Sequence, residues 1–396
     1  MNTSRCLAFL LLAILCGCAT KPATGPRPSW TAPPAGTFLA ASGQILTEAD
    51  VARMAQARDF VLVGEGHTNP CDHAAQARVI TAMVQAGQRP AIGLEMLPVT
   101  VQPVLEKFNA RRISARDLGR EVGWDKLWGY PYEQYQPIFE LAETHDLPVL
   151  ALNIPRAVLT KFRDAGEAAL DPAERALIPA RIIAVSPEQK KALEEQVGLH
   201  QSMRAAARKR PPTPAMANMA EHFFLVQAAW DSMMAEQALA WHAKLGRPMV
   251  VLAGAGHVEH GWGIEYRLRT LNPNSRVLGV MPVRDGEDFA AQTDSGPRAQ
   301  PGETVFFACA AQHKSRLGMN VVFEAAGMRV DAVEPASAAD RAGLEAGDIL
   351  VVAGDKKLAE PTDLHFAAMA ASRQKKPLVL SIRRGGRTLT INLPLR

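Results

Sequence analysis

The chain has 396 residues, 47% of them hydrophobic and 21% charged, with a formal net charge of +4 at pH 7. That composition belongs to a globular protein with ample core, and the length suits two domains. The charge is too small and too dispersed to mark a nucleic-acid surface, so nucleic acid is not an expected partner.

Arg5 and the apolar run Leu7–Leu15, too short to span a bilayer, mark residues 1–17 as a processed leader. The run closes in Leu15-Cys16-Gly17-Cys18, which resembles the lipobox of bacterial lipoproteins. The resemblance implies a lipid on Cys18 and attachment to a membrane through it. Ala19, not Asp, follows that cysteine, which implies sorting to the outer membrane of a Gram-negative cell, facing the periplasm or the surface. Loss of the leader removes only Arg5, taking the net charge from +4 to +3. Residues 18–43, rich in Pro, Ala, Thr and Gly, are expected to form a flexible tether. Cys6 and Cys16 leave with the leader. Cys71 and Cys309 fall in different parts of the chain, and no disulfide framework is expected.

From residue 44 to residue 283, short apolar runs alternate with helical patterns. The order is strand Phe60–Val63, helix Cys71–Ala86, strand Ala91–Leu94, helix Val99–Asn109, helix Glu133–Asp146 and strand Pro148–Leu152. Strands at Met249–Ala253 and Arg276–Met281 follow. Strand–helix alternation predicts an α/β fold, a mostly parallel sheet flanked by helices. The stretch Pro187–Leu245, rich in Ala, Met, Gln and Glu, departs from the alternation. It is expected to be a helical insertion, broken at Lys209-Arg210-Pro211-Pro212-Thr213-Pro214. Residues 284–314 are expected to be a linker.

Residues 315–396 form a compact C-terminal unit. It carries Leu317-Gly318-Met319-Asn320, Pro335-Ala336-Ser337-Ala338-Ala339, Ala342-Gly343-Leu344, Gly347-Asp348-Ile349-Leu350 and an alternating strand near Thr388–Leu393. This run resembles a PDZ domain of the bacterial periplasmic type, a small β-rich fold. The resemblance implies a groove that takes an extended peptide or a partner's C-terminus as an added strand. Backbone N–H groups of Leu317, Gly318, Met319 and Asn320 would meet the terminal carboxylate, and the helix near Asp363–Ala371 would line the other wall.

The chemistry concentrates at two strand ends. Phe60–Val63 runs into Gly64-Glu65-Gly66-His67, and Met249–Ala253 runs into Gly254-Ala255-Gly256-His257. Parallel sheets bind ligands at the carboxyl ends of their strands, so the two loops are expected to converge. The dinucleotide fingerprint needs a third glycine, and Thr68 and Asn69 stand in its place. Glu95 ends a third strand in Gly93-Leu94-Glu95-Met96. Glu65, His67, Glu95 and His257 therefore suit either a divalent metal such as Zn, Mn or Fe or a hydrogen-bonded acid/base cluster. His260 would share the face of His257 if a helix begins there, and His73 stands similarly past His67.

The ordered set Gly64-Glu65-Gly66-His67, Gly93-Leu94-Glu95-Met96, Ala151-Leu152-Asn153-Ile154-Pro155-Arg156, Gln227-x-x-x-Asp231-x-x-Met234-Ala235, Gly254-Ala255-Gly256-His257 and Gly261-Trp262-Gly263-Ile264 resembles the ChaN family of haem-binding lipoproteins. That family belongs to a wider group with Tiki proteases, TraB-like proteins and erythromycin esterases. The resemblance implies haem or another metal-bearing small ligand and a role in iron or haem acquisition. It also implies, through the Tiki-like relatives, a metal-dependent hydrolase of the periplasm with Glu65, His67, Glu95 and His257 as its catalytic and metal-binding residues. A haem would need an apolar slot and an axial ligand. The helical insertion offers His200, Met203 and His222, and it contains no tyrosine. A PDZ adaptor with an inactive α/β site is a further alternative. A homodimer is among the expected assemblies.

Overall fold

The computed structural model describes residues 33–128, 130–194, 214–284 and 304–395, apart from 311, 316, 325–326, 359–362, 365–366, 369, 372–373 and 375. Cys18, His200 and Met203 lie outside the described residues, as does most of the expected break in the insertion. No described helix is long and apolar enough to cross a membrane.

The first unit is built on an eight-stranded sheet. Its strands are β1 (Phe38–Ala40), β2 (Ile45–Leu46), β3 (Phe60–Glu65), β4 (Ala91–Pro98), β5 (Val149–Asn153), β6 (Met249–Gly254), β7 (Val277–Val283) and β8 (Thr304–Ala308). The order across the sheet is β2-β1-β8-β7-β3-β6-β4-β5. Pairing is parallel from β8 through β5, and antiparallel only where β1 meets β2 and β8. The mostly parallel α/β architecture thus matches the expectation.

Continuous apolar runs such as Phe60-Val61-Leu62-Val63 suit strands covered on both faces. Val61, Val63, Val250 and Leu252 pack into one core layer, with helices α1 (Glu48–Gln56), α2 (Pro70–Gln85), α3 (Gln102–Asn109), α4 (Ala115–Val122), α5 (Trp124–Leu127) and α6 (Gln136–His145) supplying its apolar faces. Phe60, Leu62, Val251 and Ala253 point the other way, to a second layer that includes Met234, Ala235 and Ala238. α7 (Arg156–Ala165) and the short α8 (Pro172–Arg175) precede the insertion. Within the expected insertion, residues 187–194 are helical and Pro214–Leu245 form a 32-residue helix, α9, which packs on α10 (Ile264–Leu271) and on β5.

Two expectations about boundaries and one about the cysteines are corrected. Phe38–Ala40, read as tether, and Thr304–Ala308, read as linker, are strands of the main sheet. Both segments are too short to show a period in sequence, and only their pairing with β7 and with each other makes them strands. Cys71, in the first turn of α2, is disulfide-bonded to Cys309, which follows β8, with a Cα–Cα distance of 5.9 Å. The two cysteines lie 238 positions apart in sequence, yet the return of β8 to this sheet brings them together.

The second unit is a β-rich fold of seven strands: β9 (Gln312–Ser315), β10 (Met319–Glu324), β11 (Gly327–Val333), β12 (Ile349–Ala353), β13 (Lys356–Lys357), β14 (Leu378–Arg384) and β15 (Arg387–Leu393), with the helix α11 (Ala338–Arg341). Met319, Val330, Leu350, Leu380 and Ile382 make its core. Gly318 has φ +83°, and a Cβ there would lie 2.1 Å from the Ser337 Cβ, so only glycine fits this turn.

Candidate functional site

β3 and β6 are hydrogen-bonded neighbours in parallel register, with Glu65 opposite Gly254. The two Gly-x-Gly-His loops therefore leave the sheet side by side at its carboxyl edge. β4 flanks β6 on the other side, with Leu94 opposite Leu252, and this delivers Glu95 to the same edge. All four predicted residues, Glu65, His67, Glu95 and His257, come together.

Two hydrogen-bonded clusters occupy the site. In the first, the buried Glu65 carboxylate is 2.7 Å from His67 Nδ1 through Oε1, and it accepts from the Tyr135 hydroxyl at 2.6 Å on the same oxygen. Its Oε2 accepts from Gln76 Nε2 at 2.8 Å and lies 3.2 Å from His73 Nδ1. Burial works to raise the Glu65 pKa, but hydrogen bonds from His67 and His73 and their charge outweigh it and hold the carboxyl down at about 2. The same partnership shifts His73 the other way: burial disfavours its cation, yet the Glu65 carboxylate raises its pKa. Burial and the Glu65 charge push the Tyr135 phenol up, so it stays a donor.

The second cluster is centred on His257. Its Nδ1 is 2.6 Å from Asp231 Oδ1, and its Nε2 is 3.4 Å from Glu95 Oε1. Asp231 projects from α9 and is fully buried. Its other oxygen accepts from Gln189 Nε2 at 3.0 Å and lies 3.5 Å from the buried Arg267 guanidinium. Burial alone would lower the His257 pKa, but the Glu95 and Asp231 charges raise it to about 10. Glu95 is correspondingly lowered against its burial, chiefly by the His257 charge, and its Oε2 also accepts from the Gly254 N–H at 2.5 Å.

His67 and His257 open onto one cleft of about 440 Å³. Apolar side chains of Ala192, Leu193, Phe223, Ala255 and Trp262 share its lining with Glu65 and Gln227. The His67 ring also lies against Trp128 (4.8 Å between centroids) and Tyr130 (5.3 Å). A Cβ at Gly254 would sit 2.8 Å from His67 Cε1, so the glycine makes room for the imidazole. The Gly66-His67 loop is held from behind: the Gly66 N–H donates to Asp72 Oδ2 at 2.7 Å, and Arg284 grips that carboxylate with both terminal nitrogens.

Other predicted residues stand elsewhere. His222 is exposed on α9; Phe223 and Gln227, four residues apart on one face, line the cleft, and His222 is turned roughly 100° from that face. His260 does not continue a helical face from His257. It sits inside the second of two short 3₁₀ turns, Glu259–Gly261, at a non-helical φ of +52°, and its ring packs on Trp262. Among the described residues no group of three or more His, Cys, Asp or Glu side chains is arranged to hold a metal ion. The Glu65 and Glu95 carboxylates turn their oxygens to partners within two separate clusters. Residues without an assigned role in sequence complete the site: Tyr135, Gln76, Gln189, Gln227, Asp231 and Arg267. The available signal was spacing, with Asp72/Gln76 and Gln227/Asp231 each placing two polar groups four apart on an otherwise apolar helix face.

The fold and site define an α/β domain with a buried imidazole–carboxylate centre at its strand ends, followed by a small antiparallel β-rich domain. A family model described as haem-binding uptake, Tiki superfamily, ChaN matches residues 51–268, and a PDZ model matches residues 315–395. The chain belongs to the ChaN-like haem-binding family and carries a C-terminal PDZ domain. Among solved structures it resembles ChaN of Campylobacter jejuni, determined for its cofacial haem binding. Identity is 17%, coverage 69% of this chain and 96% of that one, and the TM-score 0.53, so the likeness is one of fold. The HtrA3 PDZ domain bound to a phage-derived ligand is also similar, at 25% identity over 21% of this chain and 88% of that one, with a TM-score of 0.18. The erythromycin esterase EreC is similar at 15% identity over 62% and 77%, with a TM-score of 0.36. No curated protein matches the chain.

Proposed function

We propose that this protein binds haem in the strand-end cleft, with His67 as the axial ligand of the iron. One observation carries the assignment. His67 Nδ1 is engaged by the buried Glu65 carboxylate, while Nε2 has no hydrogen-bond partner among the described residues and its side chain is 29% exposed at the cleft. An imidazole whose second nitrogen is fixed by a carboxylate is the arrangement that orients a metal-ligating histidine and raises its basicity. The apolar lining and the Trp128 and Tyr130 rings suit a planar macrocycle. Bound haem would supply a redox-active, ligand-accepting iron; the protein's part is to hold, orient and shield it.

Membership of a haem-binding family supports this reading. We further propose that Cys18 carries a lipid, that the protein is anchored in the outer membrane, that it serves haem or iron acquisition, and that the PDZ unit takes a partner's C-terminal peptide. Haemin titration followed in the Soret band tests the site. The wild type saturates at low micromolar haemin and His67→Ala binds at least about tenfold more weakly; unchanged binding by His67→Ala, or no Soret change at all, overturns the assignment.

A hydrolytic reading is favoured by a different observation, the imidazole of His257 held between Asp231 and Glu95. A protonated His257 could give a proton to a leaving group in the cleft, with Asp231 fixing its ring. Hydrolysis of activated esters or short peptides by the wild type, abolished in His257→Gln, would support it; equal rates in both chains would sink it.

A further inference from the structure

A strand has two hydrogen-bonding edges. In the PDZ unit, β11 takes one edge of β10 through six residue pairs from Met319↔Val333 to Glu324↔Gly327. The other edge is the one an added peptide strand would need. It is taken by β9, which pairs antiparallel with β10 as Met319↔Ser315, Asn320↔Lys314, Val321↔His313 and Val322↔Gln312.

The direction is that of a ligand. A peptide with its carboxylate at the N–H groups of Leu317–Asn320 runs antiparallel to β10 and ends beside Met319. β9 also runs antiparallel and brings its own C-terminal end, Ser315, to Met319. The turn that follows is packed in place: the Gly318 carbonyl accepts from the Glu334 N–H at 2.9 Å and from the Ser337 hydroxyl at 3.1 Å, and the Leu317 carbonyl accepts from the Ala339 N–H at 3.0 Å. Upstream, β9 begins three residues after Cys309, which the disulfide ties to Cys71 on the main sheet's α2. Held at both ends, β9 faces β10 at a high effective concentration.

We propose that Gln312–Ser315 is the resident occupant of the PDZ peptide edge, and that a partner peptide with a free C-terminal carboxylate binds by displacing it. The inference rests on the peptide-binding reading of this unit. It makes the observed affinity the intrinsic one multiplied by the fraction of molecules with β9 released.

Labelled heptapeptides ending in free Val, Leu, Phe or Ala, each beside its C-terminal amide, are titrated against the full chain and against the double variant His313→Pro, Lys314→Pro. Adjacent residues of an antiparallel strand point their N–H groups to opposite sides, so one of the two prolines must remove a bond to β10. Hydrogen exchange of the β11 and β12 amides shows that the unit stays folded, and His313→Pro and Lys314→Pro, made singly and both titrated, replace the double variant where it does not. Losing at least one ladder bond is expected to make the variant bind free-carboxylate peptides about 2–10-fold tighter than wild type. Equal affinity overturns the self-occupied edge. Binding to neither chain overturns the peptide-binding reading itself.

Discussion

Replacing Asp231 by Asn removes a fully buried carboxylate that His257, Gln189, Gln227 and Arg267 all approach. His257 Nδ1 sits 2.6 Å from it, Gln189 Nε2 donates to it at 3.0 Å, and the Arg267 guanidinium lies 3.5 Å away. Breaking a buried ion pair from one side costs about 3–5 kcal/mol, because the partner's charge stays buried without compensation. The pH dependence separates this from a simple packing loss. His257 has its pKa raised from 6.5 to about 10. A raised folded-state value contributes stability that is complete below the unfolded value and disappears as pH rises through the folded one. At about 1.4 kcal/mol per tenfold, the whole displacement corresponds to roughly 5 kcal/mol, shared between Glu95 and Asp231. Urea unfolding followed by tryptophan fluorescence reads the α/β unit alone, since Trp30, Trp124, Trp128, Trp230, Trp241 and Trp262 all precede residue 315. The wild type should lose stability between pH 6.5 and 10, and Asp231→Asn should lose less. The gap between them should be widest near pH 6–7 and narrow by about pH 10. A gap that stays constant across this range would refute the His257–Asp231 charge pair.

Glu65→Gln keeps the shape of the first cluster but removes the charge that orients His67, and it should weaken haemin binding about 10–100-fold in a Soret titration. The double change Cys71→Ser, Cys309→Ser should lower the stability of the α/β unit by about 2–4 kcal/mol in the same fluorescence-monitored melt, with non-reducing mass spectrometry confirming the bond in wild type. Gly318→Ala forces a Cβ into Ser337 at a positive φ, and it should destabilise the PDZ unit by about 1–3 kcal/mol, seen as faster exchange of the β10 and β11 amides.

The strand ends were readable because each apolar run stops at a glycine and the chemistry follows within three residues. Glu65, His67 and His257 carry that mark, whereas Glu95 follows an internal Gly93 within β4; parallel pairing of β3 with β6 and of β6 with β4 then brings all four to one edge. Asp231 and Tyr135 carry no such mark. Tyr135 is a single polar group at a turn, and Asp231 shows only its i, i+4 spacing from Gln227; the role of each exists only because its element lies across that edge. β1, β8 and β9 have three to five residues apiece and are defined by their partners rather than by any period of their own. The Cys71–Cys309 bond depends on β8 returning to the sheet, which no local pattern announces. His222 was a reasonable donor by type, but one step along a helix turned it away from the cleft. The PDZ unit was legible throughout its motif run, yet the strand that fills its edge lies just upstream of that run.

The central claim is that His67 holds the haem iron, and resonance Raman spectroscopy of the ferrous haem complex tests it most directly. An iron–imidazole stretching band in wild type, absent in His67→Gly and restored by added imidazole, is the predicted result. The same band in wild type and in His67→Gly without imidazole would contradict the account.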